Sequence, residues 1–214
     1  MDRKQIVEII EERKLVAVVR LDSTEDVLPV AEALFKGGIS LIELTMTIPG
    51  VLDSIEPLRK EMGQDILVGL GSVLSADMTR EVVQAGAQFV VSPIMKPEII
   101  KAAHQGDVPA AIGAYSPTEI QIAWEEGADF VKVFPASQLG PSYIKAVRAP
   151  LPHLKLMPTG GVSSDNVHDW LAAGTFGLGV GGALVDQKAI REKNFEKLTE
   201  SARILSDKVK SFKK

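Results

Sequence analysis

Glu126-Gly127-Ala128-Asp129-Phe130-Val131-Lys132-Val133-Phe134-Pro135 is the stretch on which the reading of this chain turns. A glycine after a helical stretch, a short polar link and an apolar run of strand character follow one another. The same order recurs at Ala85-Gly86-Ala87-Gln88-Phe89, and such recurrence marks a repeated βα unit. Working outward, strands are expected at Leu15-Arg20, Leu41-Thr45, Leu67-Gly71, Phe89-Ser92, Val108-Gly113, Phe130-Phe134, Lys155-Thr159 and Phe176-Gly181. Their apolar runs are near-continuous rather than alternating, as in a parallel sheet covered on both faces.

Helix punctuation fills the intervals. Ser116-Pro117-Thr118-Glu119 combines an N-cap serine, proline at the first helical position and glutamate at the third. Glycines follow the expected helix ends at Gly37-Gly38, Gly86, Gly127 and Gly174. One extra amphipathic helix (Asp2 to Arg13) precedes the first strand, and a last one (Lys188 to Lys210) follows the eighth; Ser206-Asp207-Lys208 reads as its solvated end. Even spacing of eight strands favours a closed (β/α)8 TIM barrel over an open doubly wound sheet. No Pro- or Ser-rich linker divides the chain, so residues 1–214 are expected to form a single domain.

Composition narrows the function classes. The 214 residues are 45% hydrophobic with a net charge of -4, which suits a globular protein and gives no hint of a nucleic-acid partner. There is no cysteine, which excludes disulfides and thiolate metal sites. No pair of the three histidines, His104, His153 and His168, has metal-ligand spacing, and all three read as surface residues. No apolar run approaches the roughly 20 residues that span a bilayer. The charged start Met1-Asp2-Arg3-Lys4 is unlike a signal peptide, so the expected location is the cytoplasm.

Within the strands, two charges stand where apolar residues belong. Lys132 is flanked by Val131 and Val133, and Glu43 by Ile42 and Leu44. Burial without a partner or a purpose is rare for either residue type. Desolvation disfavours an ammonium group, and a neutral lysine amine is a nucleophile that forms a Schiff base with a carbonyl. The alternative is a structural ion pair in which Glu43 holds Lys132 charged and inert. In strand two, Ile42, Leu44 and Met46 share one face, and Glu43, Thr45 and Thr47 the other. Further polar residues fall near strand ends: Arg20, Ser72, Ser92 next to Pro93, and Thr159. In a barrel these ends form one mouth, where active sites lie. For Arg20 the alternative is a rim salt bridge. Gly160-Gly161 and Gly181-Gly182 follow strands seven and eight, the loops from which barrels often build a phosphate site, although tight turns also need glycine there.

Taken in order, these motifs resemble the 2-keto-3-deoxy-6-phosphogluconate and 4-hydroxy-2-oxoglutarate aldolases, from about Ile6 to past Val185. The resemblance is carried by Val16-Ala17-Val18-Val19-Arg20, Ile42-Glu43-Leu44-Thr45, Gly69-Leu70-Gly71-Ser72-Val73 and Phe89-Val90-Val91-Ser92-Pro93. Pro117-Thr118-Glu119, Val131-Lys132-Val133-Phe134-Pro135, Pro158-Thr159-Gly160-Gly161-Val162 and Gly179-Val180-Gly181-Gly182 complete it. It implies a class I lyase on a (β/α)8 barrel, with no cofactor and no metal. Lys132 would be the Schiff-base lysine and Glu43 the general acid/base. Arg20, Thr45, Thr47, Ser72, Pro93 and Thr159 would bind a small-molecule 2-keto acid, and Gly160, Gly161, Gly181 and Gly182 its phosphate. Pyruvate would be one product, glyceraldehyde 3-phosphate or glyoxylate the other, and the protein a homotrimer.

The departures from the family concern the substrate. Some members carry Arg where this chain has Thr47, and the third-strand motif usually ends in Thr where Ser72 stands. Many members place a serine at the position of Gly182 or Ala183, and Pro-Gly where this chain has Ile112-Gly113, with no bulky counterpart to Tyr115. Loss of that serine hydroxyl favours a shorter, unphosphorylated keto acid. Three rivals remain: a phosphate-binding barrel isomerase or synthase, a phosphosugar-binding protein without turnover, and a metal-dependent aldolase. The first has no need of Lys132, the second predicts loss of Lys132 or Glu43, and the third needs ligands that the sequence does not supply.

Overall fold

Strands and helices alternate along the whole chain in the computed structural model, which describes residues 1–212. Helix α1 (Arg3–Arg13) leads into β1 (Leu15–Val19), α2 (Val27–Lys36), β2 (Leu41–Thr45) and α3 (Leu52–Met62). Next come β3 (Leu67–Gly71), α4 (Ala76–Gln84), β4 (Phe89–Val91), α5 (Pro97–Gln105), β5 (Ala110–Ala114) and α6 (Pro117–Glu125). The last part holds β6 (Phe130–Val133), α7 (Gly140–Arg148), β7 (Leu156–Pro158), α8 (Val167–Ala172), β8 (Leu178–Val180), α9 (Gln187–Arg191) and α10 (Phe195–Ser211). The strands are all parallel in the order β7-β6-β5-β4-β3-β2-β1-β8. A single parallel bridge, Thr159 to Gly179, joins β7 to β8, so the ring is a nearly closed (β/α)8 barrel in one domain.

All eight expected strands are present, with ends shifted by up to two residues; β5, for example, starts at Ala110 rather than Val108. The repeated glycine link has a direct cause. Gly86 and Gly127 each take φ +94 at a helix end, a left-handed turn that a side chain would strain. The Ser116 hydroxyl accepts the Glu119 N–H, and the Glu119 carboxylate accepts the Ser116 N–H, completing the capping box.

Parallel strands here have two buried faces. Outward-facing residues such as Ile42, Leu44, Val131 and Val133 pack under the helices, while Val16, Leu41, Leu67, Phe89, Phe130 and Met157 fill the barrel interior. Helix α1 closes the N-terminal mouth with Ile6, Val7 and Ile10, which join that interior cluster. Each such side chain contributes about 1.5–3 kcal/mol by leaving water. A polar clamp ties α1 to the strand that carries Lys132. Asp129 stands 3.6 Å from Arg3 and accepts the Ala110 N–H and the His104 ring, each at 2.9 Å.

Three expectations need correction. The single last helix is two, α9 and α10, because the chain turns at Lys193 (φ +54) and Asn194 starts a new helix by accepting the Lys197 N–H. Ser206 is not a solvated helix end. It is buried and donates to the Gly38 carbonyl, and nearby Lys208 donates to the Ser164 carbonyl. His104 is half-buried in the Asp129 clamp rather than a free surface residue, whereas His153 and His168 are exposed.

Candidate active site

Alternation along the strands places chemistry above packing. In β2, Leu41 belongs to the interior cluster, and the next residue on the same face is Glu43, then Thr45. In β6 the same step runs from Phe130 to Lys132, and from Met157 in β7 to Thr159 beyond it. Glu43 is fully buried and Lys132 is 4% exposed. Their side chains converge across the barrel, Lys132 Nζ to Glu43 Oε1 at 3.4 Å, although they are 89 residues apart in sequence. The second carboxylate oxygen, Glu43 Oε2, is buried without a hydrogen-bond partner among the described residues. A buried acceptor left in that state costs about 1–3 kcal/mol or more, so the pair is not arranged for stability alone.

A glycine stands beside each member of this pair. A methyl group at Gly71 would collide with the Glu43 carboxylate, and one at Gly113 with the Pro93 carbonyl. Gly113 is the register partner of Lys132, so β5 presents no side chain beside the lysine. The Lys132 ammonium lies 5.4 Å from the centre of the Phe134 ring, within cation–π range.

A cavity of about 490 Å³ opens at the C-terminal ends of the strands, lined by Arg20, Phe134, Thr159, Ser163, Gln187 and the glycines 160, 161, 179, 181 and 182, among others. Of the expected residues, Arg20, Thr159, Gly160, Gly161, Gly181 and Gly182 are thus brought together. Lys132 and Glu43 are not part of its lining, and Phe134 is shared between the lysine and the open space. Thr45, Thr47, Ser72 and Pro93 do not line it. Thr45 is buried, donates to the Val19 carbonyl at 3.3 Å and accepts the exposed Thr47 hydroxyl at 2.7 Å. Ser72 is half-buried at the end of β3 with φ +62, a left-handed conformation unusual for a residue with a side chain.

The Thr159 hydroxyl is buried and unpartnered, and leans over Gly179, where a methyl group would strike it. The N–H groups of Gly161, Val162, Gly182 and Ala183 find no acceptor among the described residues. The turn that presents the first two is held by Asn166, whose side chain donates to the Gly161 carbonyl at 2.7 Å and accepts the Ser163 N–H at 2.9 Å. Arg20 makes no ion pair with a described residue, so the rim salt bridge is absent. Phe134, Ser163 and Gln187 were not among the expected site residues. Phe134 stood in the Lys132 motif and was readable as a neighbour, but Gln187 left no local signal. No group of three or more His, Asp or Glu residues fit to hold a metal occurs among the described residues.

A family model for KDPG and KHG aldolases matches residues 6–201. The 2-dehydro-3-deoxy-phosphogluconate aldolase of Haemophilus influenzae is 36% identical over 208 residues, 97% of this chain and 98% of that protein. The KHG/KDPG aldolase of Escherichia coli is 33% identical over 88% of this chain and 89% of its own length. Among solved structures, the KDPG aldolase of Legionella pneumophila, with pyruvate captured as a covalent carbinolamine intermediate, superposes with a TM-score of 0.85 at 30% identity. That match covers 93% of this chain and 97% of that one. The chain belongs to the KDPG and KHG aldolase family and is a carbon–carbon lyase.

Proposed function

We propose that the protein cleaves a 2-keto-3-deoxy-6-phosphosugar acid, or 4-hydroxy-2-oxoglutarate, to pyruvate and an aldehyde through a Schiff base on Lys132. The observation that carries this reading is the buried Lys132–Glu43 pair, 3.4 Å apart, with Lys132 against the Phe134 ring that also lines the open cavity. Lys132, as the neutral amine, adds to the C2 carbonyl and water leaves, giving a protonated imine. The imine draws electrons from the C3–C4 bond as Glu43, directly or through a water, takes the proton of the C4 hydroxyl. The aldehyde departs, the enamine regains a proton at C3, and hydrolysis frees pyruvate and Lys132. The unpartnered Glu43 Oε2 supports the role of proton acceptor.

In this reading Arg20 and Thr159 hold the anionic and carbonyl ends of the keto acid. Thr45, Thr47, Ser72 and Pro93 do not line the cavity, and their assignment to the keto acid rests on family likeness alone. The free N–H groups around Gly160, Gly161, Gly181 and Gly182 cradle a phosphate. Among the described residues no helix is long and apolar enough to cross a membrane. Location in the cytoplasm and assembly as a homotrimer remain part of the proposal and rest on sequence and family likeness.

Borohydride reduction in the presence of pyruvate, followed by peptide mapping, tests the mechanism. A pyruvate-derived adduct on Lys132 is expected; an adduct on another lysine, or none, refutes the assignment. In Glu43→Gln, trapping should persist while turnover collapses. Wild-type turnover in that variant would move the acid/base role elsewhere. Comparing glyceraldehyde 3-phosphate with glyoxylate as the condensation partner of pyruvate then decides the substrate branch.

A further inference from the structure

Arg20 ends β1 one residue beyond the last ladder position, where the strand no longer holds it, yet it lines the cavity. Its carbonyl is not left loose. Gln187, 167 residues away at the start of α9, donates its side-chain amide to the Arg20 carbonyl at 2.8 Å, and Gln187 also lines the cavity. The position of Gln187 is set from below. Asp186 caps α9 by accepting the N–H groups of Lys188 and Ala189 and forms an ion pair with Lys197 of α10 at 2.5 Å. A chain of contacts therefore runs from α10 through Asp186 and Gln187 to the backbone of Arg20. The guanidinium carried by that backbone has no acidic partner among the described residues and faces a cavity without a serine at Gly182 or Ala183.

We infer that Gln187 is a positioning residue for the anion-binding end of the site: by holding the Arg20 main chain, it aims the Arg20 guanidinium at the substrate's phosphate or carboxylate. This deepens the proposed function and rests on it for the identity of the substrate. Binding an anion orders both the Arg20 side chain and the main chain beyond β1, and a main chain already held by Gln187 removes the second cost. The contact also supplies from α9 an order that a rim side chain after β1 otherwise lacks.

A binding cycle tests this without relying on turnover. The affinity for 3-phosphoglycerate, an unreactive phosphorylated carboxylate, is measured by titration calorimetry in the wild type, Gln187→Met, Arg20→Ala and the double variant. Methionine keeps the length of glutamine and removes the donor. Gln187→Met should weaken binding about five-fold, the scale of one neutral hydrogen bond. In the Arg20→Ala background the same change should have no further effect. Unchanged affinity in Gln187→Met, or effects that multiply in the double variant, would overturn the inference. Pyruvate trapping on the same proteins judges the aldolase reading separately. A wild type that traps no pyruvate loses that reading, while the Gln187–Arg20 coupling is still measured by the anion.

Discussion

At its N-terminal mouth the barrel is filled by Ile6, Val7 and Ile10 of α1 against Leu41, Leu67, Phe89 and Phe130. One same-face step farther along the strands, about 6.6 Å, stand Glu43 and Lys132. At the closed end Asp129 has three partners and Lys14 donates to the Phe176 carbonyl, and Thr175, beside Phe176, is the buried hydroxyl left unpartnered there. The open end leaves Glu43 Oε2 and the Thr159 hydroxyl unpartnered and buried. Stability and chemistry are thus separated along the length of each strand. Apolar contacts at one end hold the backbone, so that costly polar groups can be kept in place at the other.

Substitutions at the two ends should therefore fail in different ways. The largest effect belongs to Lys132→Ala, which should abolish pyruvate trapping and lower lyase activity by roughly three orders of magnitude or more, with the fold retained by circular dichroism. Full activity would end the Schiff-base mechanism. Gly71→Ala should come next. Its methyl group displaces the Glu43 carboxylate, and a misplacement on the order of 1 Å costs roughly 100-fold in rate. Near-normal kcat would show that the carboxylate position is not critical.

At the closed end the sign reverses. Ile10→Ala should cost about 2–5 kcal/mol in urea unfolding while kcat stays near wild type, because Ile10 packs in the closed-end cluster, which does not include Lys132. A fall in kcat matching the loss of stability would show that the two ends are coupled.

The smallest effect is electrostatic. The Asp186 carboxyl is held down to about 2 from 3.8, chiefly by the Lys197 hydrogen bond and then by the Ala189 N–H. Because the folded-state value is depressed, this contribution is present above pH 3.8 and is lost as pH falls through about 2. Asp186→Asn should flatten that acid limb of melting temperature against pH by a small amount, since the pair is partly exposed to water. An unchanged profile would remove Asp186 from the acid response.

Much of the fold was legible because its signals are local. Apolar runs, the glycines after several helices and the Ser116–Glu119 box depend on residues a few positions apart, and each is found where expected. The C-terminal helix was misread for the same reason. The break at Lys193 carries no proline or glycine, and only the Asn194 cap marked it. In the site, Lys132 and Glu43 were readable as charges in apolar strands, and the glycines after β7 and β8 as a turn at the mouth. Thr45, Thr47, Ser72 and Pro93 were readable as residues on or near strand ends, their substrate role came from resemblance, and none of them lines the cavity.

By itself the sequence determined the eight-fold alternation, the family, and which strands carry a charge that burial would make costly. It contained no measure of distance between remote strands. That Lys132 meets Glu43 at 3.4 Å, that Ser206 is buried under Gly38, and that Gln187 holds Arg20 were decided by the closing of the barrel. Periodicity reports which face of a strand a residue occupies. The registers β1–β2, β5–β6 and β1–β8 set which residues then share a level, and they arise only when all eight strands pack around one core.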